Sequence, residues 1–318
     1  MRLMSSAVIS RPSTSSGPNM SKRNLLLCFD AFGTLFKPKQ PIAQQYGDVA
    51  RSLGLRGFTN EQVQASFKVA FKQESKENPN FGKANSMTPS RWWEKIIRNT
   101  FHPLVGSDVK LHQELAPRLL YRFSSEEAYD LLPGVLPFLQ DLRTNPPSGI
   151  ERIAVGIITN SDDRVPSVLT SLGLRVSPLV YGSDGAKSRP SPDETTYDID
   201  FTVMSYDVGH EKPDRRIFEA AEGLLATLPV ADGTSPDAWA KVYVGDEHGK
   251  DVVGARNAGW HSVLLNEASS DVPDGVRQLD EQTSGDLLHD LKDGPVGVAS
   301  FGNLAKTFGV SSNRGSGS

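Results

Sequence analysis

Cysteine is almost absent from this chain, which has only Cys28 among its 318 residues. A single thiol excludes an internal disulfide framework and a metal site built from several cysteines, and it fits a reducing compartment. Because Cys28 lies within an apolar run, we expect it to pack inside a buried strand.

Long apolar runs and a strong excess of either charge are also lacking. The longest apolar candidates, such as residues 154–158, are interrupted within a few residues, so no membrane span is expected. A formal net charge of -4 gives no bulk attraction to nucleic acid or to an anionic membrane. An anionic substrate must therefore be bound by local charges. The length of 318 residues favours about two domains.

Acidic residues are missing from the first 29 positions, which are rich in serine and contain the basic residues Arg2, Arg11, Lys22 and Arg23. This composition resembles that of a mitochondrial transit peptide, but a disordered tail, here residues 1–23, is the favoured interpretation. Pro12 and Pro18 would interrupt an amphipathic helix, and Met20 could serve as an alternative start. The expected compartment is cytoplasmic or nuclear, with mitochondrial import as the alternative.

Apolar spacing divides the chain into regions of two kinds. Between residues 38 and 129 the period is helical, which predicts an all-helical cap domain. Residues 24–37 and 130–270 alternate apolar strands with helices, the pattern of an α/β, doubly wound parallel-sheet core of the Rossmann-like type. The predicted strands cover residues 24–29, 153–158, the surroundings of Val203, 242–244 and 262–265.

Two segments lack this periodicity. Residues 183–198 contain Pro190, Pro192 and many polar side chains, which indicates a flexible insertion in the core. Residues 271–318 form a C-terminal extension, and its end, with several glycines and serines, is expected to be disordered.

Polar side chains stand where the predicted strands end. Asp30, Thr159, Asn160 and Asp246 each follow an apolar run, and in a parallel sheet such positions meet at the edge where active sites lie. Two carboxylates at that edge would repel each other unless a proton or a hard cation such as Mg²⁺ intervened. Lys212, which precedes a proline and a predicted helix, supplies a positive charge suited to a phosphate.

Four segments resemble, in order, the motifs of the haloacid dehalogenase-like hydrolase superfamily: FDAFGTL at 29–35, TNS at 159–161, EKPD at 211–214 and VGDEHGKD at 244–251. The likeness covers about residues 24–270. Within the superfamily, residues 90–103 resemble the eukaryotic group called haloacid dehalogenase-like hydrolase domain-containing protein 3. The resemblance implies that the helical region is a mobile cap that excludes water and selects the substrate.

The same resemblance implies catalytic roles. Asp30 would attack the substrate through its carboxylate and form an aspartyl intermediate. Thr159 and Asn160 would bind the transferred group, and Lys212 would neutralise the nucleophile and the developing charge. The substrate implied is a small phosphorylated molecule, no nucleic acid is expected, and a protein partner stays open.

It also implies a Mg²⁺ site at Asp30, Phe32, Asp246 and Asp251. Asp246 would bind the ion, the backbone carbonyl of Phe32 could ligate it, and Asp251 would lie among the ligands or just behind them.

Phe32 departs from the phosphatase pattern, in which a second aspartate at this position protonates the leaving alcohol and then activates water. Loss of such an acid–base group typically slows a reaction about 10²- to 10⁴-fold. Glu247 and His248 are candidate substitutes, although each is more simply interpreted as a solvated loop residue. An aromatic residue here is similar to the 2-haloacid dehalogenases, whose halide needs no proton, whereas Asp246 and Asp251 resemble the metal arrangement of phosphatases.

Three functions therefore stay open. The favoured one is a Mg²⁺-dependent phosphohydrolase of weak or specialised activity. The others are a protein of this fold that binds a phosphorylated ligand or a protein without efficient turnover, and a dehalogenase.

Other candidate residues have weaker signals. Trp92, Trp93 and Phe101 lie at helical spacing and are expected to pack in the cap rather than to form a substrate wall. Arg164 and Arg216 lie near motif loops, where they are candidates for contact with a phosphate or an acidic side chain.

Overall fold

The computed structural model describes residues 23–105, 111–183, 197–266, 272–279 and 287–310. The predicted N-terminal tail up to residue 22, most of the predicted insertion and the last eight residues lie outside these ranges. Among the described residues, no helix combines the length and the apolar character needed to cross a membrane.

Seven strands form one parallel sheet, and two more form a short antiparallel ribbon. The order in the sheet is β5-β4-β1-β6-β7-β9-β8, and the ribbon pairs β2 with β3. The strands are β1 Arg23–Phe29, β2 Phe36–Pro38, β3 Tyr129–Leu131, β4 Ile150–Thr159, β5 Phe201–Met204, β6 Trp239–Gly245, β7 His261–Leu265, β8 Arg277–Gln278 and β9 Val296–Val298. Each of the five predicted strands is present.

Every element described between β2 and β3 is helical, as the spacing predicted. These elements are α1 Ile42–Ser52, α2 Asn60–Glu77, α3 Pro79–Gly82, α4 Pro89–Val105 and α5 Leu115–Arg122, with a short 3₁₀ turn at Lys83–Asn85. A capping box begins α2, because Thr59 and Gln62 each accept a hydrogen bond from the other's backbone N–H. We refer to the described residues between 42 and 122 as the cap.

The aromatic residues of α4 differ in their environment. Phe101 is fully buried and packs against Tyr46 and Phe58. Trp92 is buried beside Ile96 in a smaller cluster. Trp93 is only half-buried and lines a cavity that faces the core, so the packing expected for all three residues describes Trp92 and Phe101 but not Trp93.

Successive residues of β1 point into two separate hydrophobic cores. Leu25, Leu27 and Phe29 pack on one face of the sheet, whereas Leu26 and Cys28 pack on the other. A strand buried on both faces is the signature of a parallel sheet covered by helices on each side. The remaining helices are α6 Val135–Thr144, α7 Val165–Ser171, α8 Ser205–Val208, α9 Arg216–Leu225, α10 Val253–Asn257, α11 Leu287–Asp290 and α12 Phe301–Thr307. Residues of α6, α7 and α12 belong to the first core and residues of α9 to the second, which confirms the doubly wound class.

The core continues past residue 270, where the sequence predicted only an extension. β9 inserts between β7 and β8, and the Phe301 ring of α12 lies 6.0 Å from the Phe29 ring. Strands of two and three residues are too short for apolar periodicity to reveal them. Asp198, the last residue of the predicted insertion, is likewise buried in the core and bonded to Arg175.

Phe101→Ala should lower the free energy of unfolding by about 3–5 kcal/mol, because it leaves a cavity in the core of the cap. Tyr121→Ala is the matched control, since that ring is 59% exposed on the neighbouring helix and its loss should change stability by less than about 0.5 kcal/mol. Urea denaturation measures both values. Equal effects of the two substitutions would contradict the packing described for the cap.

Candidate active site

Three neighbouring strands end together at one edge of the sheet. β1 lies between β4 and β6, and the backbone N–H of Asp30 donates to the Val244 carbonyl at 2.9 Å. Thr159 is buried at the end of β4, and Asp246 follows the last residue of β6. The structure therefore brings the polar residues after these strands to one place, as the sequence predicted.

Lys212 is the centre of this cluster. Its ammonium group is 2.7 Å from Asp30 Oδ1, 2.8 Å from Asp251 Oδ1 and 2.7 Å from the Tyr243 hydroxyl. The residue is only 4% exposed. Burial alone would lower the pKa of Lys212, but the two carboxylates outweigh it, so the pKa is raised and the charge is retained.

Asn160 fixes the position of Lys212. Its side-chain oxygen accepts from the Lys212 N–H at 2.6 Å, and its amide nitrogen donates to the Lys212 carbonyl at 3.0 Å. The two bonds join the loop after β4 to the loop before α9. Binding of the transferred group by Thr159 and Asn160 stays a prediction, and positioning of Lys212 is a role that the sequence did not suggest.

Tyr243 is a site residue that sequence reasoning missed. Its hydroxyl accepts from Lys212 and donates to the Ile158 carbonyl at 2.5 Å. Burial, reinforced by the negative charges of Asp251 and Asp30, holds the pKa of this phenol well above its usual range, so it stays neutral. A tyrosine in a strand is ordinarily interpreted as core packing, and no local signal distinguished this one.

Asp30, Asp246 and Asp251 form a carboxylate cluster. One oxygen of each lies within 4.8 Å of the others. Although Asp246 is exposed, nearby protein atoms exclude enough water to raise its pKa to about 6, and the charges of Asp30 and Asp251 act in the same direction. Burial likewise raises the pKa of Asp251, against the lowering effect of Lys212. The carboxylates therefore repel one another, and a cation between them would relieve that repulsion.

Hydrogen bonds orient two of these carboxylates. The Thr34 hydroxyl donates to Asp246 Oδ1 at 2.8 Å, and the Glu247 N–H donates to Asp251 Oδ2 at 2.8 Å. Asp251 lies in a π-helical turn, His248–Val252, that precedes α10. This turn carries its side chain back toward the end of β6.

Two glycines allow the carboxylates to approach the backbone. A Cβ on Gly33 would lie 2.3 Å from Asp246 Oδ2, and one on Gly245 would lie 2.3 Å from Asp251 Oδ2. Gly33 also has φ +81°, a conformation that favours glycine. The glycines of the first and fourth motifs are therefore required by close packing against the acidic groups.

The cluster fits a hard divalent cation. Carboxylate and carbonyl oxygens are the ligands that Mg²⁺ prefers, and three acidic groups converge here. Glu247 is exposed and pairs with Lys250 at 2.9 Å, outside this group. The cluster could bind a metal ion, and the participation of the Phe32 carbonyl stays a prediction.

Phe32 points toward an aromatic surface. Its ring centroid lies 4.6 Å from that of Phe36 and 5.7 Å from that of Tyr129, both in the ribbon that leads to the cap. A carboxylate at position 32 would lie among these rings. The predicted substitutes, Glu247 and His248, are not among the residues that line the neighbouring cavity.

A cavity of about 230 Å³ lies between the cap and the core. Its core side is formed by Phe32, Asn160, Ser161 and Arg164, all in or next to the motif loops. Its remaining walls are mostly aromatic and include Phe71, Phe81, Trp93, Phe123 and Tyr129. The sequence did not predict this cavity, because its walls come from segments far apart in the chain.

Hydrogen bonds hold the cap against the core beside the cavity. The Trp93 indole donates to Asp162 Oδ2 at 2.7 Å. Asn80 donates to the Ser205 carbonyl at 2.8 Å, and the Tyr206 hydroxyl donates to the Met87 carbonyl at 2.9 Å. Asn80 has φ 46°, so the turn that makes this contact is in the left-handed region.

The two candidate arginines have different surroundings. Arg164 lines the cavity, where Nε and Nη2 donate to Asp162 at 2.7 and 2.9 Å and the guanidinium lies 4.4 Å above the Trp93 ring. Its charge is thus balanced within the protein. Arg216 is exposed and pairs with Asp214, so the structure does not bring it into the cavity.

Comparison with known proteins identifies the family of this chain. The model of the haloacid dehalogenase-like hydrolases matches residues 25–259, and the chain belongs to this family. It is 28% identical over 240 residues to human haloacid dehalogenase-like hydrolase domain-containing protein 3, covering 76% of this chain and 81% of that protein. Together these confirm the resemblance found in the sequence.

Two further matches extend over most of the chain. The rhythmically expressed gene 2 protein of Drosophila melanogaster is 28% identical over 251 residues, which is 77% of this chain and 84% of that protein. The structure of a 2-haloacid dehalogenase from Pseudomonas syringae pv. Tomato DC3000 superimposes with a TM-score of 0.52 at 20% identity, covering 90% and 98% of the two chains. That structural likeness shows a shared fold.

Lys212→Met should destabilise the protein by about 3–5 kcal/mol, because it leaves two buried carboxylates without their cation. Removing Lys212 also removes the interaction that lowers the pKa of Asp251. A carboxyl group with a raised pKa takes up a proton on folding, so its contribution to stability falls as pH rises. The deficit should therefore be larger at about pH 8 than at about pH 5.

Urea denaturation at both pH values measures this deficit. Lys250→Met is the control, since that lysine is exposed although it lies in the same π-helical turn as Asp251. A deficit for Lys212→Met that equals the control, or one that grows toward acid pH, would contradict the assigned role of the buried lysine.

Proposed function

We propose that this chain is a Mg²⁺-dependent phosphohydrolase that acts on a small phosphorylated substrate through an aspartyl intermediate on Asp30. The observation that carries the proposal is the buried ammonium of Lys212 between Asp30 and Asp251, with Asp246 completing a group of three carboxylates. Such a site presents a nucleophile and places a fixed positive charge beside it to balance negative charge.

Asp30 is the nucleophile in this proposal. One carboxylate oxygen attacks the phosphorus, while the other is held by Lys212. Lys212 stays protonated and offsets charge that would otherwise oppose the approach of an anionic phosphate to a carboxylate. Thr159 and Asn160, at the end of β4, would contact the transferred phosphoryl group.

Asp30, Asp246 and the carbonyl of Phe32 would hold Mg²⁺, with Asp251 beside them. When bound, the ion would polarise the phosphoryl oxygens and offset their negative charge. Asp251 is already bonded to Lys212 and to the Glu247 N–H, so its main contribution would be to position these neighbours. Thr34 would orient Asp246 toward the ion.

Phe32 makes the proposed activity weak or specialised. No acidic group stands at this position, and the loss of general acid–base catalysis typically costs about 10²- to 10⁴-fold in rate. The aromatic surroundings of the ring do not supply a replacement. Ordinary alkyl phosphates are therefore expected to react slowly.

The same residue supports a dehalogenase as a second candidate. Phe32 contributes to an apolar cavity, and a halide departs without a proton. The carboxylate cluster favours the phosphohydrolase, because three converging carboxylates, two of which raise the pKa of Asp246, are suited to a bound cation. A protein that binds a phosphorylated ligand or a protein partner without turnover is the third candidate.

A screen of the purified protein against small phosphorylated metabolites, with and without Mg²⁺, distinguishes these functions. Phosphate release that requires Mg²⁺ and is abolished in Asp30→Asn is the expected result. Chloride release from a 2-haloacid without metal would overturn the proposal in favour of the dehalogenase. No release of phosphate or chloride from any substrate, with phosphate binding intact, would favour a protein that binds its ligand without turnover.

Asp246→Asn should remove most of the stabilisation that Mg²⁺ gives to the folded protein. The substitution keeps the size of the side chain and its oxygen for Thr34 but removes the charge that attracts the cation. The rise in melting temperature on adding MgCl₂ is the measurement. Glu247→Gln, in the same loop but outside the carboxylate cluster, should retain the full rise. An undiminished rise in Asp246→Asn would exclude Asp246 as a ligand.

A further inference from the structure

The apolar cavity lies beside the motif loops that hold the nucleophile and Lys212. Phe32, two residues after Asp30 in the chain, lines the cavity, and so does Asn160, whose side chain holds the backbone of Lys212. An apolar cavity of about 150 Å³ is large enough to bind benzene. The present volume of about 230 Å³ therefore accommodates an aromatic ring with small substituents.

The described residues that line the cavity carry no unpaired charge. Arg164 is the one ionised residue among them, and Asp162 neutralises it through two hydrogen bonds. Tyr46 and Tyr129 are neutral, because burial raises the pKa of both and takes that of Tyr129 to about 12. A second phosphate or a carboxylate would be desolvated here without a partner, which is unfavourable. Aromatic rings, in contrast, pack well against walls of this kind.

The chemistry of the leaving group also favours an aromatic ring. Among the described residues, the cavity lining contains no carboxylic acid and no histidine that could protonate a leaving oxygen. An alkyl alcohol, whose pKa is near the ~15.7 of water, leaves poorly without a proton. A phenol ionises near pH ~10, as tyrosine does, so it can leave as the anion.

We propose that the leaving group taken by this site is an aromatic ring, so that its substrates are aryl phosphate monoesters whose phenolate departs without a proton donor. The proposal rests on the phosphohydrolase function proposed above. In the first step an Asp30 oxygen forms a bond to phosphorus, and the bond from phosphorus to the aryl oxygen breaks. The phenolate takes the electron pair of that bond and gains its proton from solvent.

The second step should then be slow. Water attacks the phosphorus of the aspartyl phosphate, the bond to Asp30 breaks, and the proton of the water passes to the released phosphate or to solvent. Phe32 cannot accept that proton, so general base catalysis is missing. The aspartyl phosphate accumulates, and the first turnover releases phenol faster than later turnovers.

Rapid-mixing kinetics with phenyl phosphate, cyclohexyl phosphate and acetyl phosphate test both parts of the proposal in the full-length protein with Mg²⁺. The two ring esters match in size, but only phenyl phosphate has a leaving group that needs no proton. Acetyl phosphate has an easily displaced group and no ring. We expect phenyl phosphate to react at least about 100-fold faster than cyclohexyl phosphate. A burst of about one phenol per enzyme and a phosphorylated peptide containing Asp30 should accompany it.

Two variants test separately the contribution of the aromatic wall and the effect of the missing acid. Phe71→Ala should raise KM for phenyl phosphate about tenfold more than for acetyl phosphate, because it removes one wall of the cavity. Val69→Ala, 67% exposed on the same helix, should leave both values unchanged. Phe32→Asp, if it folds, should accelerate the hydrolysis of cyclohexyl phosphate and abolish the burst of phenol. If this variant does not fold, the burst of the wild-type protein still tests the proposal.

The outcomes distinguish two failures. If cyclohexyl phosphate reacts as fast as phenyl phosphate, or no burst occurs, the aryl proposal is overturned while the phosphohydrolase stands. If none of the three compounds releases phosphate and Asp30 is never phosphorylated, the proposed function fails and the aryl proposal fails with it.

Discussion

The arrangement of the site depends on one buried cation. Lys212 places a positive charge where two carboxylates would otherwise repel each other, and its three hydrogen bonds use all the protons of its ammonium group. Its partners come from the loop after β1, from β6 and from the turn that follows β6. The ammonium therefore reaches a partner, Asp30, that lies 182 positions away in the chain. A neutral side chain in its place would leave those segments without a common partner.

Much of this arrangement could be predicted from the sequence because it depends on where strands end. Asp30, Thr159 and Asp246 follow buried runs, and a parallel sheet brings such positions together whatever lies between them. Lys212 was identifiable through its resemblance to a motif, but its contact with Asp251 depends on a π-helical turn that has no simple sequence signal. The role of Tyr243 in the site could not be predicted, because an aromatic residue in a strand is equally consistent with core packing.

The parts that could not be predicted are those that depend on distant segments. β9 has three residues and gives no periodic signal, although it extends the sheet. The aromatic cavity combines Phe32 with cap residues such as Phe71 and Trp93, which helical spacing alone assigns to packing. Whether an aromatic residue faces a core or a cavity is decided by how the cap docks, and no local pattern contains that information. Substrate specificity is therefore harder to predict from the sequence than the catalytic residues are.

Trp93 links the position of the cap to the charge state of the cavity wall. Its indole covers the Arg164 guanidinium and donates to Asp162, so one cap side chain shields both members of the ion pair. With the cap docked, the pair is dry and its charges cancel. If the cap lifts, water reaches both groups, and solvent screening weakens their attraction. The cavity would then be polar and hydrated while the cap is lifted, and apolar while the cap is docked.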